Sequence, residues 1–582
     1  MNRNLLFFLL LTGVTGVTTV AHLQPRPEQP APTDPPNIVL ILTDDQGYGD
    51  LGATGNPVIE TPHLDALARQ SAQMRQFYVS PVCSPTRASL LTGRYNYRTG
   101  VVDTYIGRSM MRPEELTLAE LLKPRGYQSG IFGKWHLGDC YPMRAIDQGF
   151  DEALVHFGGG LAQPSDLLEN GRRYTDVTLF RNGQPMPTKG YCTDVYFGEA
   201  LGFMEKAVRR KKPFFAYIAT NTPHDPFDDV PADLLKKYQG KNLKAVLPPP
   251  EGKMAERTDA VARVFAMIEN IDQNVGRLTQ KLEEWGIQDN TIVIFMTDNG
   301  PNTRRYVGAM RGMKGQVHDG GIRTSFFVRW PGKIKAGLAS DVPVAHIDLT
   351  PTLLAAAGAG LPTDRAIDGR SFLPLLRGET VAWPDRTLYL QWHRGDVPQP
   401  FVNFAARSSQ YKLLSPDGTA FELYDVLADP GETTNLTAAQ PAVLERMKAE
   451  YRRWYDDVSG TRPDNYAKPR IVLGSRAETT TRLSRQDWHL TEGTGWGTQG
   501  VWKVSNLQPA RYAVEVILEG PLPNHTLTLT GFGQTWTGVL SDDGSRGHFD
   551  NLSLPTGETD LRVGLSANGT ERGPYQVILR RL

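Results

Sequence analysis

Residues 37–52 read NIVLILTDDQGYGDLG, and the first seven of them decide the fold class. An unbroken run of Ile, Val and Leu is what a strand buried on both faces of a parallel sheet looks like. Two more runs share this character, FFAYIAT at 214–220 and TIVIFMT at 291–297. Amphipathic segments lie between them. Val261, Val264, Phe265, Ile268, Ile271, Val275, Leu278 and Leu282 fall on one helical stripe, and Phe197, Leu201, Met204 and Val208 on another. This alternation predicts an α/β fold over residues 36–383, with a mostly parallel sheet sandwiched by helices.

Further along, the pattern changes twice. Residues 384–469 carry short strand-like runs (TLYLQW, QYKLL, FELYD) and then one helical stretch at 441–456, which predicts a smaller α+β subdomain. Residues 470–582 lose most of their lysine and gain Thr and Gly. Strand-like runs recur there every 8–12 residues (ARYAVEVIL, HTLTLTGF, QTWTGVL, TDLRVGL, YQVILRRL), which predicts an appended β-sandwich. Its Trp488, Trp496, Trp502 and Trp536 either pack in its core, as expected for most of them, or stack on sugar rings.

At the other end, Arg3, the diluted apolar run at 5–20 and the small residues at 19–21 read as an export signal over 1–21. The run is shorter than the ~20 strongly apolar residues a membrane span needs, so no stable membrane insertion is expected and the product is periplasmic or secreted. A Pro-rich linker fills 22–35.

Composition narrows the function classes. Lys+Arg and Asp+Glu are both 63 in a chain of 582 residues, so bulk charge recruits neither nucleic acid nor another polyanion. Three cysteines, Cys83, Cys140 and Cys192, are too few for a disulfide scaffold, though pairing of Cys140 with Cys192 stays open.

Ligands of open α/β sheets bind beyond the carboxyl ends of the strands. After 37–43 come Asp44, Asp45 and Gly47; after 291–297 come Asp298, Asn299 and Gly300. After 214–220 comes Asn221-Thr222-Pro223-His224, and after the short run 129–132 comes Gly133-Lys134-Trp135-His136. Neighbours in a strand face opposite ways, so for Asp44 and Asp45 to share a ligand the chain must turn there, as the following Gly permits. Three carboxylates and a carboxamide are hard oxygen donors that suit calcium, or magnesium, better than zinc. Cys83-Ser84-Pro85-Thr86-Arg87 opens a helix at 88–92 that stops at Gly93. Cys83 then sits at a helix N-terminus, which favours an anion, with Arg87 one turn on. A thiolate nucleophile is the simple reading of these residues, and an inert buried thiol is the bland one.

Cys-x-Pro-x-Arg followed by ASLLTGR (88–94) resembles the signature of the type I, formylglycine-dependent sulfatases, in the alkaline phosphatase superfamily. So do LILTDDQGYGDLG (40–52), TPHLDALA (61–68), GIFGKWHLG (130–138), TPHDPF (222–227), FMTDNG (295–300) and GMKGQVHDGGIRT (312–324), all in the family's order, over about residues 36 to 460. The resemblance implies that a maturation enzyme converts Cys83 to formylglycine, whose hydrate attacks sulfur. It implies that Asp44, Asp45, Asp298 and Asn299 hold calcium (or magnesium), with the modified Cys83 completing the shell. Arg87 and Lys134 would stabilise the ionised hydrate, and His136 would take its second proton. His224 and Lys314 would bind the sulfate and help protonate the leaving oxygen. Arg311 and His318 cluster with Lys314 in sequence, and the pattern gives His318 no role. The unit at 384–469 resembles the family's C-terminal subdomain, which makes Trp392, His393 and Arg394 candidate substrate contacts, and the insert at 158–191 a candidate pocket wall.

The function expected is therefore hydrolysis of a sulfate ester, of a small molecule or, more specifically, a sulfated glycan. One alternative is a phosphonate or phosphodiester hydrolase of the same superfamily, although such enzymes tend to carry Asp-His where this chain has Asp298-Asn299. The other is a non-catalytic glycan-binding protein with Cys83 unmodified.

Overall fold

The computed structural model describes residues 35–248 and 254–582; the export signal and nearly all of the Pro-rich linker lie outside them. Four parallel strands position the site: β1 (Asn37–Thr43), β2 (Gln128–Lys134), β3 (Phe214–Ala219) and β4 (Thr291–Thr297). They run β4–β1–β3–β2 through the middle of a ten-stranded sheet, with Glu152–His156 parallel beyond β2 and Phe326–Arg329 antiparallel beyond β4. Every residue of β1 and β4 is buried, as the unbroken apolar runs require. The period-2 alternation divides these strands between two cores. Ile38, Leu40, Leu42, Ile292 and Ile294 face one apolar layer with Leu90, Leu91 and Leu353. Val39, Ile41, Val293 and Phe295 face the other, packed on α2 (Cys192–Arg209) and α3 (Met254–Glu284) through Phe197, Met204, Met267, Ile271, Val275 and Leu278. Deleting a buried branch here, as in Ile41→Ala, leaves a cavity on both-sided packing and costs roughly 2–5 kcal/mol.

Helix α1 is Cys83–Thr92, longer at its start than the 88–92 expected, and buried along its whole length. Gly93 ends it in the left-handed region at φ 71°, its N–H bonding Ser89 O. The smaller C-terminal sheet is four antiparallel strands, Leu388–Gln391, Phe404–Arg407, Tyr411–Ser415 and Glu422–Asp425. Helix Pro441–Ser459 covers it through Met447, Tyr451 and Tyr455. Beyond residue 470, a seven-stranded and a five-stranded sheet enclose one core. Trp488 and Trp502 are fully buried in it and Trp536 packs at its margin, so the core expectation holds for these three. The α/β fold with an appended strand-rich unit is as the sequence predicts.

The same apolar cluster takes in Ile106, Met110, Cys140 and Met143 from the larger α/β unit, so the β-sandwich is seated on it by a shared core. Cys140 lies in that cluster and Cys192 in the α2 core; all three cysteines are free. Two buried carboxyls meet at this seam. The Asp139 N–H donates to Asp487 Oδ2 at 3.2 Å, and the Gly158 N–H to Asp139 Oδ2 at 2.8 Å. Burial pushes Asp487 up to about 7, and burial together with Asp487 pushes Asp139 well above the carboxylate range. A raised carboxyl pKa means the folded state holds its proton where the unfolded chain has lost it, so stability falls as pH rises from about 4 through 7. Asp487→Asn keeps an oxygen for the Asp139 N–H and removes that charge. The variant is expected to melt a few degrees higher than the parent at pH 8 and at nearly the same temperature at pH 4. A gain of equal size at both pH values would contradict the assignment.

Candidate active site

β1 delivers Asp44 and Asp45 at its carboxyl end, and Asp45 itself turns the chain, with φ 62°. The reversal expected at Gly47 thus happens two residues earlier, in a conformation Asp tolerates better than most residues. It brings both carboxylates to one side. β4 delivers Asp298 and Asn299; Asp298 Oδ1 accepts from the Asp45 N–H at 3.3 Å, and Asn299 Nδ2 donates to Asp45 Oδ1 at 2.8 Å. A second layer locks the turn. The Gly47 N–H donates to Asp50 Oδ2 at 2.6 Å, and Arg305, fully buried, donates to Asp50 Oδ2 at 2.6 Å and to Asp45 O at 3.0 Å. Neither Asp50 nor Arg305 stood out in the sequence, because their pairing spans 255 residues.

Three cations answer the three carboxylates. Lys134 Nζ sits 2.6 Å from Asp44 Oδ2, Lys314 Nζ 2.7 Å from Asp45 Oδ1, and Arg87 Nη2 2.8 Å from Asp298 Oδ2. Burial alone would raise Asp44, but Lys134, then His224, Arg87 and Lys314, outweigh it and hold the group well below the usual carboxylate range. Asp298 goes the other way: burial and the neighbouring Asp44 raise it to about 7 against the pull of Arg87 and Lys134. Burial lowers the basicity of Lys314, but Asp45 and the other anions reverse this and keep it protonated. Cys83 opens α1 beside this cluster, and one ligand atom each from Asp44, Cys83 and Asp298 lie within 4.8 Å of one another. Burial raises its thiol pKa despite Lys134 and Lys314.

Above the cluster is a cavity of about 590 Å³, lined at its base by Cys83, His136, His224 and Lys314. His136 is held at φ 61°, with Nε2 2.6 Å from Thr104 O and Nδ1 buried without a partner. Burial, then Lys134, keeps its pKa well below the ordinary value, so it stays neutral. His224 Nδ1 meets Asp225 O at 2.5 Å and Nε2 lies 3.6 Å from Asp45 Oδ2. The walls are Tyr105, Trp392 and Arg394, with Gly159 and Gln163 from the 158–191 insert and Trp496 from the β-sandwich. His393 is absent from this lining. Its Nδ1 meets Arg394 O at 2.8 Å and its Nε2 accepts from the Gln399 N–H at 2.6 Å, so both ring nitrogens are spent on the local backbone. His318 lies in a neighbouring cavity of about 550 Å³, with Nε2 3.2 Å from Glu422.

The pocket thus lies at the carboxyl edge of a parallel sheet, with paired acids and cations beside a cysteine at a helix start. The sulfatase family model matches residues 36–359, and the model for the C-terminal part of N-sulphoglucosamine sulphohydrolase matches 313–454. N-acetylgalactosamine-6-sulfatase of Mus musculus is 34% identical over 392 residues, covering 62% of this chain and 69% of its own. Arylsulfatase A of Homo sapiens is 33% identical over 482 residues, covering 71% and 86%. Among solved structures, Ps i-CgsB in complex with k-i-k-neocarrahexaose superimposes with a TM-score of 0.63 at 29% identity, over 72% of this chain and 93% of that one. The fold is thus that of the alkaline phosphatase superfamily. Within it, the chain belongs to the sulfatase family and is an enzyme that hydrolyses sulfate esters.

Proposed function

We propose that the substrate is a sulfated carbohydrate, that Cys83 acts after conversion to formylglycine by a maturation enzyme, and that calcium is held by Asp44, Asp45, Asp298 and Asn299, with the modified Cys83 as a further ligand. The observation that carries the reading is that Asp44 lies close to both Cys83 with Asp298 and Asp45 with His224, Asn299 bonds Asp45, and Cys83 lines a cavity with His136, His224 and Lys314. The donor set fits the ion. Asp44 Oδ1 and Asn299 Oδ1 are buried oxygens without a hydrogen-bond partner, the atoms a hard cation would take. When bound, the ion would polarise a sulfate oxygen.

The chain's own groups divide the rest of the work. Arg87 and Lys134 stabilise negative charge at residue 83. His136, neutral and with a free Nδ1, accepts a proton. His224 and Lys314, at the base of the cavity, bind sulfate oxygens, and the protonated Lys314 assists departure of the alcohol oxygen. The carbohydrate part is supported by the aromatic walls and by the sugars named for the relatives. The 1–21 segment supports export; among the described residues no helix is long and apolar enough to cross a membrane.

Two measurements test this. In protein from its native host, the tryptic peptide at 76–87 should be ~18 Da lighter than its cysteine form. The matured enzyme should then turn over 4-nitrophenyl sulfate and at least one of N-acetylgalactosamine 6-sulfate and a sulfated neocarrahexaose. Equal or faster turnover of a phosphonate or phosphate diester would favour the other hydrolase class.

A further inference from the structure

The loop at 493–497, GTGWG, lies beyond the residues either family model matches, yet it brings Gly495 and Trp496 to the wall of the active-site cavity. Gly495 and Gly497 flank the tryptophan at φ 62° and 64°, a double left-handed turn that only glycine makes without strain. The loop is tied down from behind. The indole N–H of the fully buried Trp488 donates to Trp496 O at 3.2 Å, and the Gly497 N–H donates to Thr494 O at 3.1 Å. The base of the β-sandwich is itself anchored to the α/β unit, because Gln486 Nε2 donates to Thr104 O at 2.9 Å and to Ser109 Oγ at 2.7 Å. Trp496 is therefore presented to the cavity from a fixed position while remaining half-buried.

Its surroundings are those of a sugar site. Trp496 meets Tyr105 edge-on, with ring centroids 5.0 Å apart. The Arg394 guanidinium lies 4.5 Å from the Tyr105 ring centroid and 5.0 Å from that of Trp392. Arg394 Nη1 donates to Asp103 Oδ1 at 2.7 Å and to Thr104 Oγ1 at 3.1 Å, and Trp392 Nε1 donates to the same Asp103 oxygen at 2.9 Å. The side chain of Arg394 is still 54% exposed. The Trp496 ring offers apolar surface to the C–H face of a pyranose, and the Arg394 guanidinium held over Tyr105 and Trp392 offers charge to an anionic substituent.

We propose that Trp496, carried by the C-terminal β-sandwich, is a substrate-contacting residue that sets specificity by packing against a pyranose ring of the sulfated sugar while the α/β unit holds the sulfate. This rests on the carbohydrate reading above. The sandwich is then a working wall of the active site and does more than tether the enzyme to a distant glycan.

The test is steady-state kinetics of the full-length matured enzyme on 4-nitrophenyl sulfate and on whichever sugar of the panel the parent turns over fastest. Trp496→Ala is expected to raise KM for the sugar about tenfold or more, with its kcat held within about threefold. Trp496→Phe should recover most of the sugar KM, and Trp496→Leu, which fills volume without an aromatic face, should not. An unchanged sugar KM, or a fall in kcat with KM unchanged, overturns the proposal and leaves the carbohydrate reading standing. Turnover of 4-nitrophenyl sulfate with no sugar accepted overturns that reading itself, and this one with it.

Discussion

Cys83→Ala is expected to lower kcat by roughly 10⁴-fold or more on every sulfate ester, with the melting temperature close to the parent's. The size follows from position. Cys83 is buried at the first turn of α1, beside three acids and three cations paired with one another. Alanine removes one sulfur from a site that keeps all its ion pairs, so the fold has little to lose. Parent protein in which the 76–87 peptide keeps its cysteine mass lacks the formylglycine and should resemble the alanine variant. Substantial sulfate-ester turnover by either would remove residue 83 from the mechanism.

Stripping divalent cations with EDTA is expected to cost roughly 10³-fold in activity, restored by added calcium and less completely by magnesium. Charge balance gives the reason. Asp44, Asp45 and Asp298 are each paired with one of Lys134, Lys314 and Arg87, so the site without an ion is near neutral. A divalent cation makes it doubly positive, which suits a singly charged sulfate ester together with an ionised nucleophile. The same ion would give Asp44 Oδ1 and Asn299 Oδ1 the partners they lack, so calcium should also raise the melting temperature. Asp45→Asn should weaken both responses together. It leaves Lys314 without its carboxylate, at a site where the lysine is only partly exposed. Full activity in excess chelator, with no calcium-dependent shift in melting, would rule out the ion.

The linear order of residues determined much of this. Continuous Ile, Val and Leu runs can be buried only on both faces, so 37–43, 214–220 and 291–297 became central parallel strands. Polar residues at the ends of such strands have one place to go, and Asp44, Asp45, Asp298, Asn299, Lys134, His136 and His224 duly gather at one edge. What the tertiary structure decided depends on backbone angles and on contacts far apart in the chain. The left-handed turn at Asp45, two residues before Gly47, is held from behind by buried Arg305, which donates to Asp45 O and pairs with Asp50 255 residues away. His393 was drawn away from the cavity by a backbone N–H six residues on, while Arg394 beside it was held over Tyr105 and Trp392 by Asp103. Of four tryptophans in the sandwich, composition could not separate Trp496 from the three that pack in or against the core. Its place in the active-site wall follows from a glycine turn and an apolar seam shared by the sandwich and the α/β sheet region, contacts between residues far apart in the chain that exist only in the folded state.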